Sequence, residues 1–312
     1  MKYKHLFGPV ASRRLGISLG IDLIPHKTCN FNCIYCECGE NPPLFNERKE
    51  YINVREVVEE LKEYLVNNPR PDYITFSGSG EPTLNSGIGF LINEIKKLTD
   101  IKVCVITNSS TLMYEEVRKE LLNADLVMPS LNGVFESSYL KIDRPNGNLK
   151  LADIIEGIKK FSNEFSGEIF LEIFMIEGIN DTKEELEEFV RVIKELKVTK
   201  VQLNSLDRPA PVSWVRAMAM EKLEEIKEFF RNNGIVTEII KKYKSKHEYK
   251  AYNINHEELI LNLLNVRATT FDEILEVTGI EREKLGNYLD ILLKEGIVKS
   301  SISEGKIYYR SF

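Results

Sequence analysis

The sequence predicts an α/β chain: a parallel sheet covered by helices, followed by a smaller C-terminal unit of three helices and a β-hairpin. Three observations predict it. Short apolar runs alternate with amphipathic stretches six times between residues 17 and 240. Those runs are continuously apolar, as in strands buried on both faces. Near residue 241 the composition shifts and the alternation stops.

Strands are expected at 17–24, 73–77, 102–107, 126–129, 168–175 and 199–203, and helices at 54–66, 88–98, 114–122, 152–161, 183–196 and 220–232. In the first helix apolar residues fall at 54, 57, 58, 61 and 65, the spacing of one helical face. Repeated βα units imply right-handed crossovers and either a barrel or an open wound sheet. Six units are too few for a complete eightfold barrel. In both arrangements function gathers at the carboxyl ends of the strands.

Beyond residue 252 the pattern reads helix, helix, helix, hairpin. The segment 256–266 is apolar at 259, 260, 263 and 264. Thr270 and Glu273 form a capping box before a second helix that Gly279 ends, and 281–295 makes a third that Gly296 closes. Ser303-Glu304-Gly305 is the turn between strands 297–301 and 306–310. This unit resembles a winged-helix domain. The expected organisation is a core at 1–240, a Lys/Tyr-rich linker at 241–252 and the small unit at 253–312.

Bulk composition narrows the classes. The 312 residues are 43% hydrophobic and 29% charged, enough for a buried core. A net charge of −6 argues against coating nucleic acid or anionic membrane. No apolar run reaches the ~18 residues of a membrane span, and the N-terminus lacks a signal core. Five cysteines, mostly in one cluster, do not make a disulfide framework, so a reducing, cytoplasmic compartment is expected.

That cluster carries the chemistry. Cys29, Cys33 and Cys36 fall within eight residues as C-x3-C-x2-C, just after the first expected strand. Iron–sulfur cubes normally take four thiolates, so a three-thiolate loop leaves one iron open to a small molecule. A structural zinc site with Cys38 as fourth ligand is the competing reading, but such sites prefer two separated ligand pairs and no second pair exists. With Tyr35 before the last cysteine, the motif resembles that of the radical S-adenosylmethionine (SAM) superfamily. The resemblance implies a partial six-stranded (β/α)6 barrel, a [4Fe-4S] cluster on Cys29, Cys33 and Cys36, and SAM chelating the fourth iron.

Other strand ends carry the same resemblance. Gly78-Ser79-Gly80-Glu81 resembles the Gly-Gly-Glu motif that contacts the SAM amino group; the match covers Gly80 and Glu81, and Ser79 replaces the first glycine. Asn108 after the third strand, and Ser130 and Asn132 after the fourth, resemble positions that hold the ribose or the methionine carboxylate. Arg144 offers that carboxylate a bidentate fork. Ile176 resembles an adenine contact. Asn204, Asp207 and Arg208 end the sixth strand and face the expected mouth. The stretch 7–16 resembles a radical SAM group related to the tRNA wybutosine-synthesis enzyme. Only Cys38 and Cys104 remain for a second cluster, so that enzyme's second cluster cannot be built here.

The implied activity is reductive cleavage of SAM to a 5′-deoxyadenosyl radical that abstracts hydrogen from a substrate: RNA, a peptide or a small metabolite. An external one-electron reductant of flavodoxin or ferredoxin type is implied. Residues 253–312 hold ten acidic and seven basic side chains, the wrong balance for DNA phosphates. RNA through the Lys/Tyr tract 241–250 stays open. The alternative is a redox-sensing iron–sulfur regulator acting through the winged helix. The polar loops after several strands favour the enzyme, because a sensor needs none of them.

Overall fold

The computed structural model describes residues 3–39, 44–207, 210–240, 260–261, 263–264, 267–303 and 305–311. Its main sheet has eight strands in sequential order: β1 (Leu6–Ser12), β2 (Gly16–Ile21), β3 (Tyr73–Phe76), β4 (Lys102–Thr107), β5 (Leu126–Pro129), β6 (Glu168–Phe174), β7 (Lys200–Asn204) and β8 (Thr237–Ile239). β1 and β2 are antiparallel, and every pair from β2 to β8 is parallel.

The count corrects the expected six. The six expected strands are β2 to β7; β1 and β8 flank them. β1 escapes the pattern because Gly8 and Pro9 interrupt it, and its register shifts between Phe7 and Val10. β8 has three residues, too few for a periodic signal. The first expected strand also ends early. β2 stops at Ile21; Asp22 N still donates to His5 O at 2.9 Å, and the chain then turns into the cysteine loop.

Helices α1 (Val54–Asn67), α2 (Ile88–Leu98), α3 (Glu115–Leu121), α4 (Glu136–Ile142), α5 (Leu151–Glu164), α6 (Lys183–Ile193) and α7 (Met220–Asn232) alternate with the strands. In α1 the apolar stripe buries Val54, Val57, Val58 and Leu61, and Asn53 caps it by accepting from Arg55 N at 3.0 Å. Strand residues divide by period two. Val103 and Val105 of β4 join the large core under the helices. Cys104, from the same strand, turns to the other face and packs with Leu15, Leu126, Met128 and Phe170. That face floors the functional site.

The C-terminal unit follows the expected order where it is described. Positions 260–261 and 263–264 are helical, and the rest of 256–266 lies outside the described residues, as do the tract 241–250 and Arg208. The capping box forms with both arms: Glu273 N donates to Thr270 Oγ1 at 3.3 Å, and Thr270 N donates to Glu273 Oε2 at 2.9 Å. It starts α8 (Phe271–Thr278); α9 (Arg282–Lys294) follows. The hairpin β10 (Val298–Ser303) and β11 (Lys306–Ser311) gains a third strand, β9 (Thr269–Thr270), which pairs with β11. Tyr308 Oη donates to the Asp207 carbonyl at 2.9 Å, tying this unit to the loop after β7. Among the described residues no helix is long and apolar enough to cross a membrane.

Candidate cofactor site at the strand ends

The cysteine loop leaves β2 and is pinned on both sides. Against the end of α4, Asn32 N donates to Asp143 O at 3.0 Å and Ile34 N to Ile142 O at 2.9 Å. Against the loop after β3, Lys27 N donates to Ser79 O at 2.7 Å and Glu81 N to Thr28 O at 3.1 Å. Gly80 sits where these loops meet. A Cβ there would lie 2.0 Å from the Thr28 carbonyl oxygen, so no other residue fits.

Burial pushes the thiols of Cys29 and Cys33 well above the ordinary thiol range. Cys36 goes the other way, down to about 7, because Cys38 donates a hydrogen bond to its sulfur. Cys38 also reaches the Gly78 carbonyl at 3.5 Å. Among the described residues no three Cys, His, Asp or Glu side chains close on a point as one mononuclear ion requires. Three ligand-type thiols on one short loop are the donor type that an iron–sulfur cluster takes.

Glu81 is 2% exposed, and its carboxylate is saturated by the protein. It accepts from Thr83 N at 3.1 Å, Thr107 Oγ1 at 2.7 Å, Asn108 N at 2.7 Å and the Thr83 hydroxyl. Burial raises its pKa, and these donors pull it back. Glu81 therefore joins the loops after β3 and β4. Asn108 continues the chain of contacts: its Nδ2 donates to Asn30 Oδ1 at 2.9 Å and lies 3.5 Å from Cys29 Sγ. Asn132 Nδ2 donates to Tyr35 Oη and Asp143 Oδ1, both at 2.7 Å. Burial lifts Asp143 to about 6, while Asn132 and Cys33 donate to it. Tyr35 stacks on Phe174 with ring centroids 3.8 Å apart.

A cavity of about 1020 Å³ opens over these loops. Its wall takes in Cys29, Cys33, Cys36, Tyr35, Gly78, Gly80, Glu81, Asn108 and Ser130. Asn132, Arg144 and Ile176 are not on the wall. Asn132 is buried among its partners, and Ile176 belongs to the apolar cluster around Ile34 and Phe174. Arg144 stands at φ 46°, with its carbonyl accepting from Asn32 N at 3.2 Å. Asn204 and Asp207 reach the wall.

Sequence reasoning missed several wall residues. Arg14 enters from the β1–β2 turn and pairs with Glu172 of β6, both largely buried, and Arg13 lies 3.7 Å from Asp207. Ser18 and Thr75 share a buried hydroxyl contact of 2.6 Å. The C-terminal unit supplies Phe271, Lys306 and Tyr309. Only the Arg13-Arg14 pair carried a local signal; the others depend on strands and units brought together by the fold.

The donor set fits an iron–sulfur cluster with SAM beside it: three clustered thiols, a glycine at a forced close approach, and a roomy cavity with both polar and apolar walls. Comparison with known proteins agrees. The sequence matches the family model described as Radical SAM superfamily over residues 23–193. It is 39% identical to the GTPase Obg of Brachyspira hyodysenteriae over 99% of this chain, and it spans only 45% of that relative's length. It is 32% identical to a UPF0026 protein of Methanocaldococcus jannaschii, covering 97% of this chain and 94% of the relative. The fold is similar to the crystal structure of a radical SAM methyltransferase from Sphaerobacter thermophilus, with a TM-score of 0.56, 18% identity, and coverage of 71% of this chain and 65% of that one.

Proposed function

Because the chain belongs to the radical SAM superfamily, enzymes that use a [4Fe-4S] cluster and SAM, we propose that Cys29, Cys33 and Cys36 hold the cluster and that the cavity above them binds SAM. When bound, this pair supplies reductive cleavage of SAM to a 5′-deoxyadenosyl radical, which takes hydrogen from a substrate. The chain's own residues bind and shield. Gly80 lets the loop approach closely. Glu81 holds that loop to Asn108, which orients beside Cys29. Tyr35 and Phe174 form an apolar stack beside the cysteines. Asn132 positions Tyr35, and the Arg144 carbonyl and Ile176 support the cysteine loop from behind, in place of the direct contacts expected of them.

The observation that carries the reading is the meeting of three cysteines, Gly80 and Asn108 on one cavity wall. The cavity, about 1020 Å³, lies at the upper end of the ~300–1000 Å³ of small-ligand sites, which supports room for a substrate beside the cofactor. We read the sheet as a partial barrel around that cavity, with residues 1–240 as the core. We read 253–312 as a winged-helix-like unit, joined through 241–252, that walls the mouth. RNA, peptide and metabolite substrates all suit this reading, and RNA binding by 241–250 rests on composition alone. Kinship with the wybutosine-related group is supported by the stretch 7–16, which builds β1 and brings Arg13 and Arg14 to the cavity. Superfamily members generally need an external reductant, and we propose one of flavodoxin or ferredoxin type. Cysteines gathered mostly in one ligand-type loop, rather than spread as a disulfide framework, support a reducing, cytoplasmic compartment.

The test is anaerobic reconstitution followed by SAM and dithionite. Formation of 5′-deoxyadenosine is expected. None from a fully loaded cluster would overturn the enzyme reading in favour of the redox sensor.

A further inference from the structure

Ser79 stands where the superfamily motif has its first glycine, so its side chain must be accommodated beside a cofactor. The structure turns it backwards. Ser79 Oγ and backbone N both donate to Asp22 Oδ2, at 2.5 and 3.0 Å. Asp22 Oδ1 accepts from Ile24 N at 3.4 Å. The neighbouring Gly78 has φ 138°, and a Cβ on it would lie 2.5 Å from the Asp22 carboxyl carbon. The carboxylate therefore fills the space behind Gly78 and takes both donors of Ser79. Gly78, Ser79 and Gly80 line the cavity, while Asp22 stands behind them.

We infer that Asp22 is a positioning residue that compensates for Ser79. It holds the hydroxyl out of the cofactor space and fixes the backbone of residues 78–80 against the amino-acid end of SAM. The inference rests on the cofactor reading above. Hydrogen bonds to a carboxylate are about twice as strong as neutral ones, so this pair is stiff enough to set a loop. Burial makes the carboxylate costly to ionise, and the two bonds from Ser79 offset that cost. Neither residue explains its own placement alone. Asp22 without Ser79 is a buried acid short of a donor, and Ser79 without Asp22 is an unpartnered hydroxyl at the wall.

The experiment measures the SAM dissociation constant by equilibrium dialysis on cluster-loaded protein: wild type, D22A, D22N, S79A and D22A/S79A. D22A should weaken binding about tenfold and S79A about threefold, the scale of one lost charged hydrogen bond. The double variant should be no weaker than D22A, because the two residues act as one unit. D22N keeps an acceptor oxygen and should bind SAM as wild type does, measurably tighter than S79A. Cluster absorption per chain should be equal in all. D22A binding as tightly as wild type, or losses that multiply in the double variant, would overturn the inference. Should D22A fail to fold, S79A and D22N decide: weakened S79A with near-native D22N supports the pairing, and any other combination overturns it. A wild type that binds no SAM would sink the cofactor reading instead.

Discussion

The side-chain amide of Asn132 donates to the Tyr35 hydroxyl at 2.7 Å, tying the loop after β5 to the aromatic residue between two cysteines. Asn132 Oδ1 also accepts from Phe174 N at 2.9 Å, so one buried residue serves three segments. Replacing it with alanine strands several polar groups and should cost about 2–3 kcal/mol. Tyr35→Phe keeps the stack on Phe174 and should cost under about 1 kcal/mol. Urea midpoints compare the two; an N132A protein as stable as wild type would mean the network does not hold the loop.

Alanine at Cys29, Cys33 or Cys36 should each abolish the absorption near about 400 nm after reconstitution, whereas Cys38→Ala should retain it. Retained absorption in any of the first three variants would break the ligand assignment.

Gly80→Ala should separate the two loops that Gly80 joins. The methyl group meets the Thr28 carbonyl at 2.0 Å, and backbone cannot rotate away as a side chain can. A stability loss of about 1–3 kcal/mol is expected, with poorer cluster retention. Thermal melts and iron content report both, and a G80A protein unchanged in both would show that the contact is easily relaxed.

Tyr308→Phe removes the hydrogen bond to Asp207 and leaves the ring. Hydrogen exchange should rise at 205–207 and 306–310, by an amount matching about 0.5–1.5 kcal/mol. Unchanged protection would mean that other contacts hold the hairpin in place.

His5 gives a pH test. Burial pushes its basicity below the ordinary histidine value, over the opposing pull of Glu60 and Glu56. The folded state therefore prefers neutral His5. That stability is complete above the unfolded value, about 6.5, and is lost as pH falls from there through the lowered folded value. His5→Gln should flatten this component, read as a smaller change in urea midpoint between about pH 7.5 and 5.5. Equal changes in both proteins would exclude His5 as the source.

The strand–helix alternation was legible because each element carries its own period, and the cysteine loop because its spacing is local. Contacts between distant segments were not. Arg14 pairs with Glu172 across the sheet face, and no window of sequence contains both. Asn132 and Ile176 fell at the right strand ends, but which way a side chain turns there depends on its neighbours' packing. Gly8 and Pro9 hid β1, since they argue against a strand everywhere except at a sheet margin.

β1 occupies such a margin. Pro9 has no amide hydrogen to offer an incoming chain, and the register break between Phe7 and Val10 spoils the spacing a new partner would follow. The opposite margin is β8, only three residues long. Among the described residues both borders are short or irregular, the kind of edge that disfavours extension of the sheet by a strand from a neighbouring copy.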